Sequence, residues 1–404
     1  MAEKKEIGPV SMEETTLNIR GINFRVRIDG AEGSPWLLLI NSLSTTCAMW
    51  DDQIPTLSGH FRVIRYDQRG HGGTASPNGP YSIELLGSDA LALLDAIGSE
   101  KASVCGLSLG GLIAMWMAIN VPERIEKTVL ACTSPNFGPR EFWMDRAASV
   151  REGGTAILYE SLLQRWFTAE IDARNSRAKE IVKEMLDSCN PEGYASVCEA
   201  IGSTDLRSEL RKIISPTLVV AGALDPVCSP SMALSIQESI NGSSLQVIAN
   251  ASHLANLEQP DVFIDAVMSH LSGPPKTRGM SVRTEVLGSR YVAEASAKRT
   301  EFTASFQDFI SRYAWGEVWA RPGLDRRTRS MITLAILVSR GNLDELAFHI
   351  PAALRNGLKR EEIMEVFIQC GVYAGVPAAN SAFAKANEIL QSLEWVENHQ
   401  EDSV

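Results

Sequence analysis

The chain has 404 residues, of which 45% are hydrophobic and 22% charged, and its formal net charge is −11 at pH 7. The length suits two domains, and the composition is that of an ordinary soluble globular protein. The acidic balance argues against a nucleic-acid partner and against binding to an anionic membrane surface.

Predicted strands alternate with predicted helices in the first part of the chain. Apolar runs and turn signals predict two short strands over residues 14–28, then strands over 36–40, 61–66, the run reaching Gly106, 125–133, 216–221 and 245–249. Helical spacing of apolar residues predicts helices over 82–97, after Ser108, over 230–240 and over 260–271. This alternation indicates a doubly wound α/β fold with a mostly parallel sheet.

Residues 135–210 interrupt that alternation. The segment has a helical pattern, is rich in Trp and Arg, and contains no convincing strand. We therefore predict a helical cap, at about residues 135–210, inserted over the sheet.

A second unit is predicted after SGPPKTRG, Ser272–Gly279. Two prolines and two glycines in eight residues are typical of a linker. Only helical patterns follow, over residues 295–313, 325–339, 344–356, 360–375 and 377–390. The predicted organisation is an α/β domain over 1–272, a linker over 273–279 and an all-α domain over 280–404.

Targeting and redox features indicate a cytoplasmic protein. The N-terminal segment MAEKKEIGPVSMEE is polar and has no signal-peptide core. No apolar run approaches the ~20 residues that cross a bilayer, so no membrane partner is expected. The seven cysteines are scattered, without a Cys-x-x-Cys pair or a Cys/His cluster at metal spacing. We therefore expect reduced, buried thiols and no metal site.

The motif that carries chemistry in the first unit is Gly106-Leu107-Ser108-Leu109-Gly110, between a predicted strand and a predicted helix. Gly-x-Ser-x-Gly in this context is typical of a nucleophile elbow. Small residues on both sides let neighbouring backbone pass closely, so that the Ser108 hydroxyl is lifted clear of the sheet. A glycine-rich turn with an incidental serine has the same pattern, and the serine therefore needs partners elsewhere in the chain.

A serine nucleophile requires a base that takes its proton and an acid that orients the base. Asp225 follows one late predicted strand and His253 follows the next, in the order Ser, acid, His of α/β-hydrolases. Of the six histidines, only His253 falls in such a loop near the end of the first unit. Asp205 is a weaker candidate for the acid, because no strand leads into it.

An oxyanion hole requires two backbone amides aimed at the developing negative charge. Leu109, directly after the nucleophile, is expected to supply one amide. The other is expected from Leu43, in the loop after the first core strand. We interpret His71, in the turn-rich segment DQRGHG, as structural rather than catalytic.

Three segments of the first unit share a family resemblance: INSLSTTCAMWD at Ile40–Asp51, DQRGHG, and CGLSLGGLIAMWMA. They resemble the 3-oxoadipate enol-lactonases, α/β-hydrolases of aromatic catabolism, and the resemblance covers about residues 14–271. Asn41-Ser42, where many α/β-hydrolases have His-Gly, is characteristic of that group. The resemblance implies that Trp143 suits a flat ring and Arg146 a carboxylate; ordinary packing within the cap is the alternative for both.

The second unit carries Glu345 and His349, which are four residues apart and therefore share one face of a predicted helix. WGEVWARPGLDRRTRSMITLAIL, ELAFHIPAALRNGLKREEIMEVFIQ and YAGVPAANSAF resemble 4-carboxymuconolactone decarboxylase across nearly all of residues 280–391. That family is related to peroxidase-type (AhpD-like) reductases with Cys-x-x-Cys-x-x-x-His on the equivalent helix. Asn342 and Glu345 stand at the cysteine positions here, so thiol redox chemistry is lost, whereas His349 remains.

Together the resemblances imply a fusion enzyme that decarboxylates 4-carboxymuconolactone to 3-oxoadipate enol-lactone and hydrolyses that product to 3-oxoadipate. The first substrate is its own electron sink, since the electrons left by CO2 delocalise through the C=C bond onto the lactone carbonyl. We therefore expect no cofactor. His349, oriented by Glu345, is the candidate proton donor, and Arg321 and Arg329 are candidate carboxylate-binding residues.

Two alternatives remain open at this point. The second unit could be a catalytically silent oligomerisation module of a generic esterase, or the first could serve another lactone or ester or be haloperoxidase-like. The expected partners are small-molecule lactones. The resemblance also implies a homo-oligomer formed through the C-terminal helical unit.

Overall fold

The computed structural model describes residues 13–273, 275–321 and 323–400, with the backbone alone at 275, 276 and 393–400. The chain divides into two units, Met1–Leu271 and Ser272–Val404. The first unit is a sheet covered by helices, and the second is helical. Separate clusters of buried apolar side chains form the cores of the two units.

One sheet organises the described part of the first unit. Its strands are β1 Glu13–Ile19, β2 Ile22–Asp29, β3 Trp36–Ile40, β4 Arg62–Tyr66, β5 Ala102–Leu107, β6 Ile125–Ala131, β7 Thr217–Gly222 and β8 Ser244–Ile248. They lie in the order β1-β2-β4-β3-β5-β6-β7-β8. β2 pairs antiparallel with β1 and β4, and the other pairs are parallel. The predicted mostly parallel α/β sheet is confirmed.

The central strands are buried on both faces. Every residue of β5 and β7 is buried, which is why these strands are continuous apolar runs in the sequence rather than alternating patterns. Because parallel strands end at the same edge of the sheet, the loops after β3, β5, β7 and β8 meet there. This edge positions the candidate site.

Helices cover the sheet and form the cap. In the first unit they are α1 Ile54–Leu57, α2 Ile83–Ala96, α3 Leu109–Asn120, α4 Arg140–Gly153, α5 Tyr159–Trp166, α6 Ile171–Arg174, α7 Ala178–Asp187, α8 Pro191–Gly202, α9 Pro230–Ser239, α10 Ala255–Glu258 and α11 Pro260–Leu271. The segment predicted as a cap contains α4 to α8 and no strand, and α4 packs against α8.

The secondary-structure elements in the described part of the second unit are all helices. They are α12 Pro275–Leu287, α13 Ser289–Ala297, α14 Glu301–Ile310, a π-helix Ser311–Trp319, α15 Arg326–Arg340, α16 Leu343–Arg355, α17 Arg360–Tyr373 and α18 Val376–Gln400. Helices α15 to α18 enclose a core that includes Leu334, Leu346, Ile350 and Phe367. In the part of the chain that is described, no helix is long and apolar enough to cross a bilayer.

Two predictions for the second unit are corrected by the structure. The linker predicted over 273–279 is shorter, because α12 already begins at Pro275; proline fits the first turn of a helix, where its missing N–H is not needed. The helix predicted over 295–313 is interrupted. The Thr300 hydroxyl accepts a hydrogen bond from the Thr303 amide at 3.3 Å and caps a new helix, α14.

Gly279 marks a close approach of α12 to the π-helix. A Cβ at this position would lie 1.7 Å from the carbonyl oxygen of Ser311 and 2.9 Å from the amide nitrogen of Gly316. Both are backbone atoms, which cannot rotate away. We therefore expect Gly279→Ala to lower the free energy of unfolding of the second unit by about 1–3 kcal/mol, the usual cost of overpacking.

Differential scanning calorimetry of the full chain measures this effect. The melting transition of the second unit should fall, whereas that of the first unit should not move. Gly323→Ala is a matched control, because a Cβ at Gly323 meets no atom within 4 Å. Identical melting of the two variants would contradict the close packing.

Candidate active site

Ser108 lies between β5 and α3 in a backbone conformation that L-residues rarely adopt, with φ 57° and ψ −114°. A Cβ at Gly106 would lie 2.0 Å from the Gly110 carbonyl oxygen, and a Cβ at Gly110 would lie 2.0 Å from the Ile40 carbonyl oxygen. The turn therefore requires glycine at both positions. This close backbone packing is the physical basis of the Gly-x-Ser-x-Gly pattern.

Ser108, His253 and Asp225 form one hydrogen-bonded series. His253 Nε2 lies 3.0 Å from Ser108 Oγ, and His253 Nδ1 lies 2.9 Å from Asp225 Oδ2. The other oxygen of Asp225 accepts hydrogen bonds from the amides of Val227 and Cys228, at 2.7 and 3.0 Å. All three side chains of the series are buried. His253 is therefore placed to take the proton of the Ser108 hydroxyl, and the fixed Asp225 carboxylate orients His253.

Asp205, the weaker candidate for the acid, lies elsewhere. Its carboxylate forms an ion pair with Arg207 at 2.5 Å, and both side chains are exposed. The hydrogen bond from Arg207 holds the pKa of Asp205 below its usual value. The structure therefore brings Asp225 to His253 and leaves Asp205 at the surface.

The cap contacts the loop that carries His253. The Trp166 ring stacks on the His253 ring, with centroids 6.4 Å apart. Glu258 is buried, and its two carboxylate oxygens accept hydrogen bonds from the amides of Ser252 and Thr168, each at 2.8 Å. One carboxylate thereby joins the His253 loop to the cap. We did not predict Trp166 or Glu258 as site residues.

The loop after β3 is fixed by buried polar contacts. Asn41 Nδ2 donates to the Tyr66 carbonyl oxygen at 2.6 Å, and Asn41 Oδ1 accepts from Trp50 Nε1 at 3.0 Å. Leu43 follows in this loop and lines a cavity beside Ser108. Among the described residues, neither the Leu43 amide nor the Leu109 amide is bonded to a backbone carbonyl outside its own element. Both amides are therefore available to a ligand.

A cavity of about 210 Å³ opens onto Ser108 and His253. Trp143 and Arg146, the cap residues for which substrate binding was predicted, both line it. Trp143 Nε1 donates to the Phe137 carbonyl oxygen at 3.1 Å, which fixes the indole. The Arg146 guanidinium lies 5.6 Å from the centroid of the Trp143 ring, so that a flat surface and a positive charge are adjacent.

A second arginine, Arg165, also lines the cavity. Within the described residues, neither Arg146 nor Arg165 has a carboxylate partner; Arg146 donates to the Tyr194 hydroxyl at 3.1 Å and Arg165 to the Ser161 carbonyl oxygen at 3.0 Å. Burial and the nearby charge of Arg146 lower the pKa of Arg165. Two uncompensated positive charges at one cavity favour an anionic ligand. Arg165 belongs to no motif, and we did not predict it.

One group of potential metal ligands occurs among the described residues: Asp225, Cys228 and His253, whose ligand atoms lie within 4.8 Å of one another. A metal ion would have to break the hydrogen bond between Asp225 and His253. Burial and the Asp225 charge raise the pKa of the Cys228 thiol, which disfavours the thiolate that binds metals. The group suits proton transfer better than metal binding.

In the second unit, Glu345 and His349 both lie on α16. No hydrogen bond or ion pair joins them among the residues described, so the predicted orienting contact is absent. Glu345 is exposed in the first turn of α16, where the helix N-terminus favours a negative charge. The His349 ring packs beside Phe348, with centroids 4.7 Å apart. Burial lowers the pKa of His349 to about 4, so its imidazole is neutral at pH 7.

Arg321 and Arg329 lie together. Arg329 Nη2 donates to the Arg321 carbonyl oxygen at 2.9 Å. Asn356 Nδ2 donates to Ser330 Oγ at 2.9 Å, so the start of α15 lies beside the end of α16. His349 precedes Asn356 by roughly 10 Å along the helix axis, at 1.5 Å per residue. No hydrogen bond joins either arginine to His349 among the described residues, so the structure does not bring the predicted carboxylate-binding residues into contact with the predicted proton donor.

The two units match two families. A family model of the alpha/beta hydrolase fold matches residues 35–260, and the carboxymuconolactone decarboxylase family model matches residues 304–388. The sheet and the strained serine turn of the first unit are those of that hydrolase fold. The fold therefore defines the first unit as an α/β hydrolase.

Individual relatives agree with both assignments. The 3-oxoadipate enol-lactonase 2 of Acinetobacter baylyi is 38% identical over 267 residues, 65% of this chain and 100% of the relative. The 4-carboxymuconolactone decarboxylase of the same organism is 47% identical over 116 residues, 29% of this chain and 87% of the relative. The crystal structure of the enol-lactonase from Burkholderia xenovorans, 38% identical, matches with a TM-score of 0.62 over 64% of this chain and 99% of that one. The chain belongs to the α/β hydrolase family through its first unit and to the carboxymuconolactone decarboxylase family through its second.

Proposed function

We propose that the chain is a bifunctional enzyme of aromatic catabolism, in the β-ketoadipate pathway. The second unit decarboxylates 4-carboxymuconolactone to 3-oxoadipate enol-lactone, and the first unit hydrolyses this product to 3-oxoadipate. The observation that carries the proposal is the series Ser108, His253 and Asp225 beside a cavity with two arginines that have no carboxylate partner among the described residues. The similarity of each unit to a relative named for one of these reactions supports it.

Hydrolysis begins at Ser108. Its Oγ attacks the lactone carbonyl carbon while His253 Nε2 takes the hydroxyl proton, and Asp225 stabilises the resulting imidazolium. The amides of Leu43 and Leu109 receive the oxyanion. Collapse of the intermediate breaks the bond to the enol oxygen, which accepts the proton from His253 and tautomerises to the ketone. Water, activated by the same His253, then releases the new carboxylate from Ser108.

The enol-lactone also carries an acetate side chain, which needs a positive partner. Arg146 and Arg165 supply two positive charges at the cavity, and neither has a carboxylate partner in the described part of the chain. We propose that they bind this acetate group, with the lactone ring against Trp143. Arginine suits the role because its planar group binds a carboxylate through two parallel hydrogen bonds.

Decarboxylation places different demands on the second unit. The bond to the departing carboxylate breaks, its electron pair moves through the C=C bond to the lactone carbonyl, and a proton is added to the carbon α to that carbonyl. We propose His349 as the proton donor. Burial keeps His349 neutral in the free chain, and a dianionic substrate beside the ring raises its pKa by Coulomb attraction. The substrate thereby makes His349 an acid.

Ser108→Ala should lower lactone hydrolysis by at least about a thousandfold, the scale of losing a triad nucleophile. Decarboxylation should persist, because its site belongs to the other unit. With 4-carboxymuconolactone as substrate, enol-lactone should then accumulate in place of 3-oxoadipate, which NMR spectroscopy can follow.

Ser134→Ala is the matched control for this experiment. Ser134 is also buried, but its hydroxyl donates to the Asn136 carbonyl oxygen, so hydrolysis should be unchanged. A fluorophosphonate should label the wild-type chain once, at Ser108. Retained hydrolysis by Ser108→Ala, or no decarboxylation by the wild type, would refute the corresponding half of the proposal.

His349→Ala should lower decarboxylation by roughly a hundredfold or more per folded chain, the usual contribution of a positioned acid, and leave hydrolysis unchanged. The substitution should also change how the stability of the second unit depends on pH. The folded-state pKa of about 4 lies below the ordinary 6.5, so the unfolded state binds a proton more readily. His349 therefore lowers the stability of the second unit as pH falls from about 6.5 towards 4, and His349→Ala should remove that loss.

Turnover per folded chain and melting curves between pH 4 and pH 7 separate chemistry from packing. Glu345→Gln serves as the control, because no hydrogen bond joins this carboxylate to His349 among the described residues. It should lower decarboxylation less than His349→Ala does. Near-normal turnover by His349→Ala, with a change only in its melting temperature, would contradict a catalytic role for His349.

An apolar stripe on α14 and the π-helix supports self-association. Phe302, Phe306, Phe309 and Tyr313 follow helical spacing and expose 96, 61, 45 and 52% of their surfaces. Exposed apolar patches of this kind mark interaction sites. We propose that a second copy of this chain covers the stripe, since identical faces related by a two-fold axis bury each other.

Sedimentation velocity tests this arrangement. The double variant Phe302→Glu and Phe306→Glu should sediment as a single chain, because burying two carboxylates in an apolar interface is costly. Ile214→Glu, at an exposed apolar residue of the first unit, should leave the wild-type mass unchanged. A wild-type chain that sediments as a monomer would contradict the proposal.

A further inference from the structure

Tyr194 connects the cap to the loop after β3. It lies on α8 and is buried, and its hydroxyl oxygen accepts hydrogen bonds from Arg146 Nε and from Ser44 Oγ, each at 3.1 Å. Burial raises the pKa of Tyr194 to about 12, so the hydroxyl is neutral at pH 7. One phenol oxygen therefore joins the arginine at the cavity to the loop beside the nucleophile.

The loop end of this connection is Ser44, directly after Leu43. Ser44 has φ 70°, in the region that favours glycine, and is held there on two sides. Its hydroxyl bonds to Tyr194, and its amide donates to His71 Nε2 at 3.2 Å. His71 Nδ1 lies 3.0 Å from the Arg69 carbonyl oxygen, so Nδ1 carries the proton and Nε2 is the acceptor.

The side chain of Leu43 is apolar and makes no hydrogen bond, so the position of the Leu43 amide depends on the residues on either side of it. On one side, Ser42 is anchored within the loop, where its carbonyl oxygen accepts from Thr45 Oγ1 at 2.8 Å. On the other side, Ser44 is anchored to Tyr194 and His71. The position of the Leu43 amide therefore depends partly on a residue of the cap.

We propose that Tyr194 is a positioning residue that couples recognition of the substrate carboxylate at Arg146 to the oxyanion-binding amide of Leu43, through Ser44. The inference rests on the proposed function, which assigns those roles to Arg146 and Leu43. A carboxylate that holds Arg146 in one position also holds Tyr194 and, with it, Ser44. Binding of the carboxylate, which does not react, then helps to position the amide that stabilises the oxyanion. This raises kcat as well as lowering KM.

Two substrates test the coupling: 3-oxoadipate enol-lactone and its methyl ester, which keeps the ring but lacks the charge. Ring opening is followed for both with the full-length chain. In the wild type, kcat for the charged lactone should exceed kcat for the methyl ester by roughly tenfold, the scale of one hydrogen bond to a charged group.

Ser44→Ala cuts the connection at the loop and leaves the contact between Arg146 and Tyr194. It should lower kcat for the charged lactone to the value for the methyl ester, without changing KM. Tyr194→Phe removes both contacts and should also raise KM for the charged lactone by roughly tenfold. Tyr159→Phe is the matched control, because that cap hydroxyl donates to the Lys179 carbonyl oxygen instead.

Several outcomes would overturn the coupling. One is an equal loss of kcat for both lactones, with or without a lower melting temperature, which identifies a packing role. Another is a change confined to KM in both variants, because Arg146 then binds the carboxylate without affecting the loop. A different result would refute the proposed function itself. If the wild-type chain shows no Ser108-dependent opening of either lactone, both the hydrolase function and the coupling are wrong.

Discussion

The strained backbone of Ser108 is the constraint on which the first unit depends. A non-glycine residue in this region costs about 1–3 kcal/mol, which the surrounding structure has to supply. The Ser108 amide donates to the Ala131 carbonyl oxygen at 2.9 Å, and the Thr133 hydroxyl donates to the Ser108 carbonyl oxygen at 2.6 Å. The end of β6 thus holds both sides of the strained residue. Because the backbone cannot relax, Ser108 Oγ stays within reach of His253.

The cap also contributes to the geometry of the site. Glu258 joins the His253 loop to Thr168, and Trp166 stacks on the imidazole, so the base is held from the cap side as well as by Asp225. Burying a carboxylate is costly unless hydrogen bonds compensate it, and the amides of Ser252 and Thr168 provide that compensation. The Arg174 guanidinium, 3.8 Å from Glu258 Oε1, adds a positive charge beside the carboxylate.

The residues that could be predicted are those with a local signal. Ser108 lies in a motif, and Asp225 and His253 each follow a strand that is visible as an apolar run. Arg165 and Tyr194 could not be found in this way, because they reach the site only through the packing of cap helices, which no local pattern records. The start of α12 was missed for a related reason. Pro275 and Gly279 resemble linker residues in composition, whereas Gly279 in fact packs against the Ser311 carbonyl, a contact between distant parts of the chain.

The electrostatics of both candidate sites would change when an anionic substrate binds. Neither Arg146 nor Arg165, which line the cavity, has a carboxylate partner within the residues that the structure describes. His349 is half-buried, and burial lowers its pKa to about 4, so it is neutral at pH 7. The chain as a whole carries a net charge of −11, which repels an anionic substrate at long range. That repulsion is screened beyond about 8–10 Å at physiological salt, so the two nearby arginines contribute most to the electrostatic potential inside the cavity. In the proposed reaction sequence, decarboxylation removes one negative charge and ring opening creates another. Because the enol-lactone and its ring-opened product are both anions, the same two cavity arginines face a negative charge before and after hydrolysis.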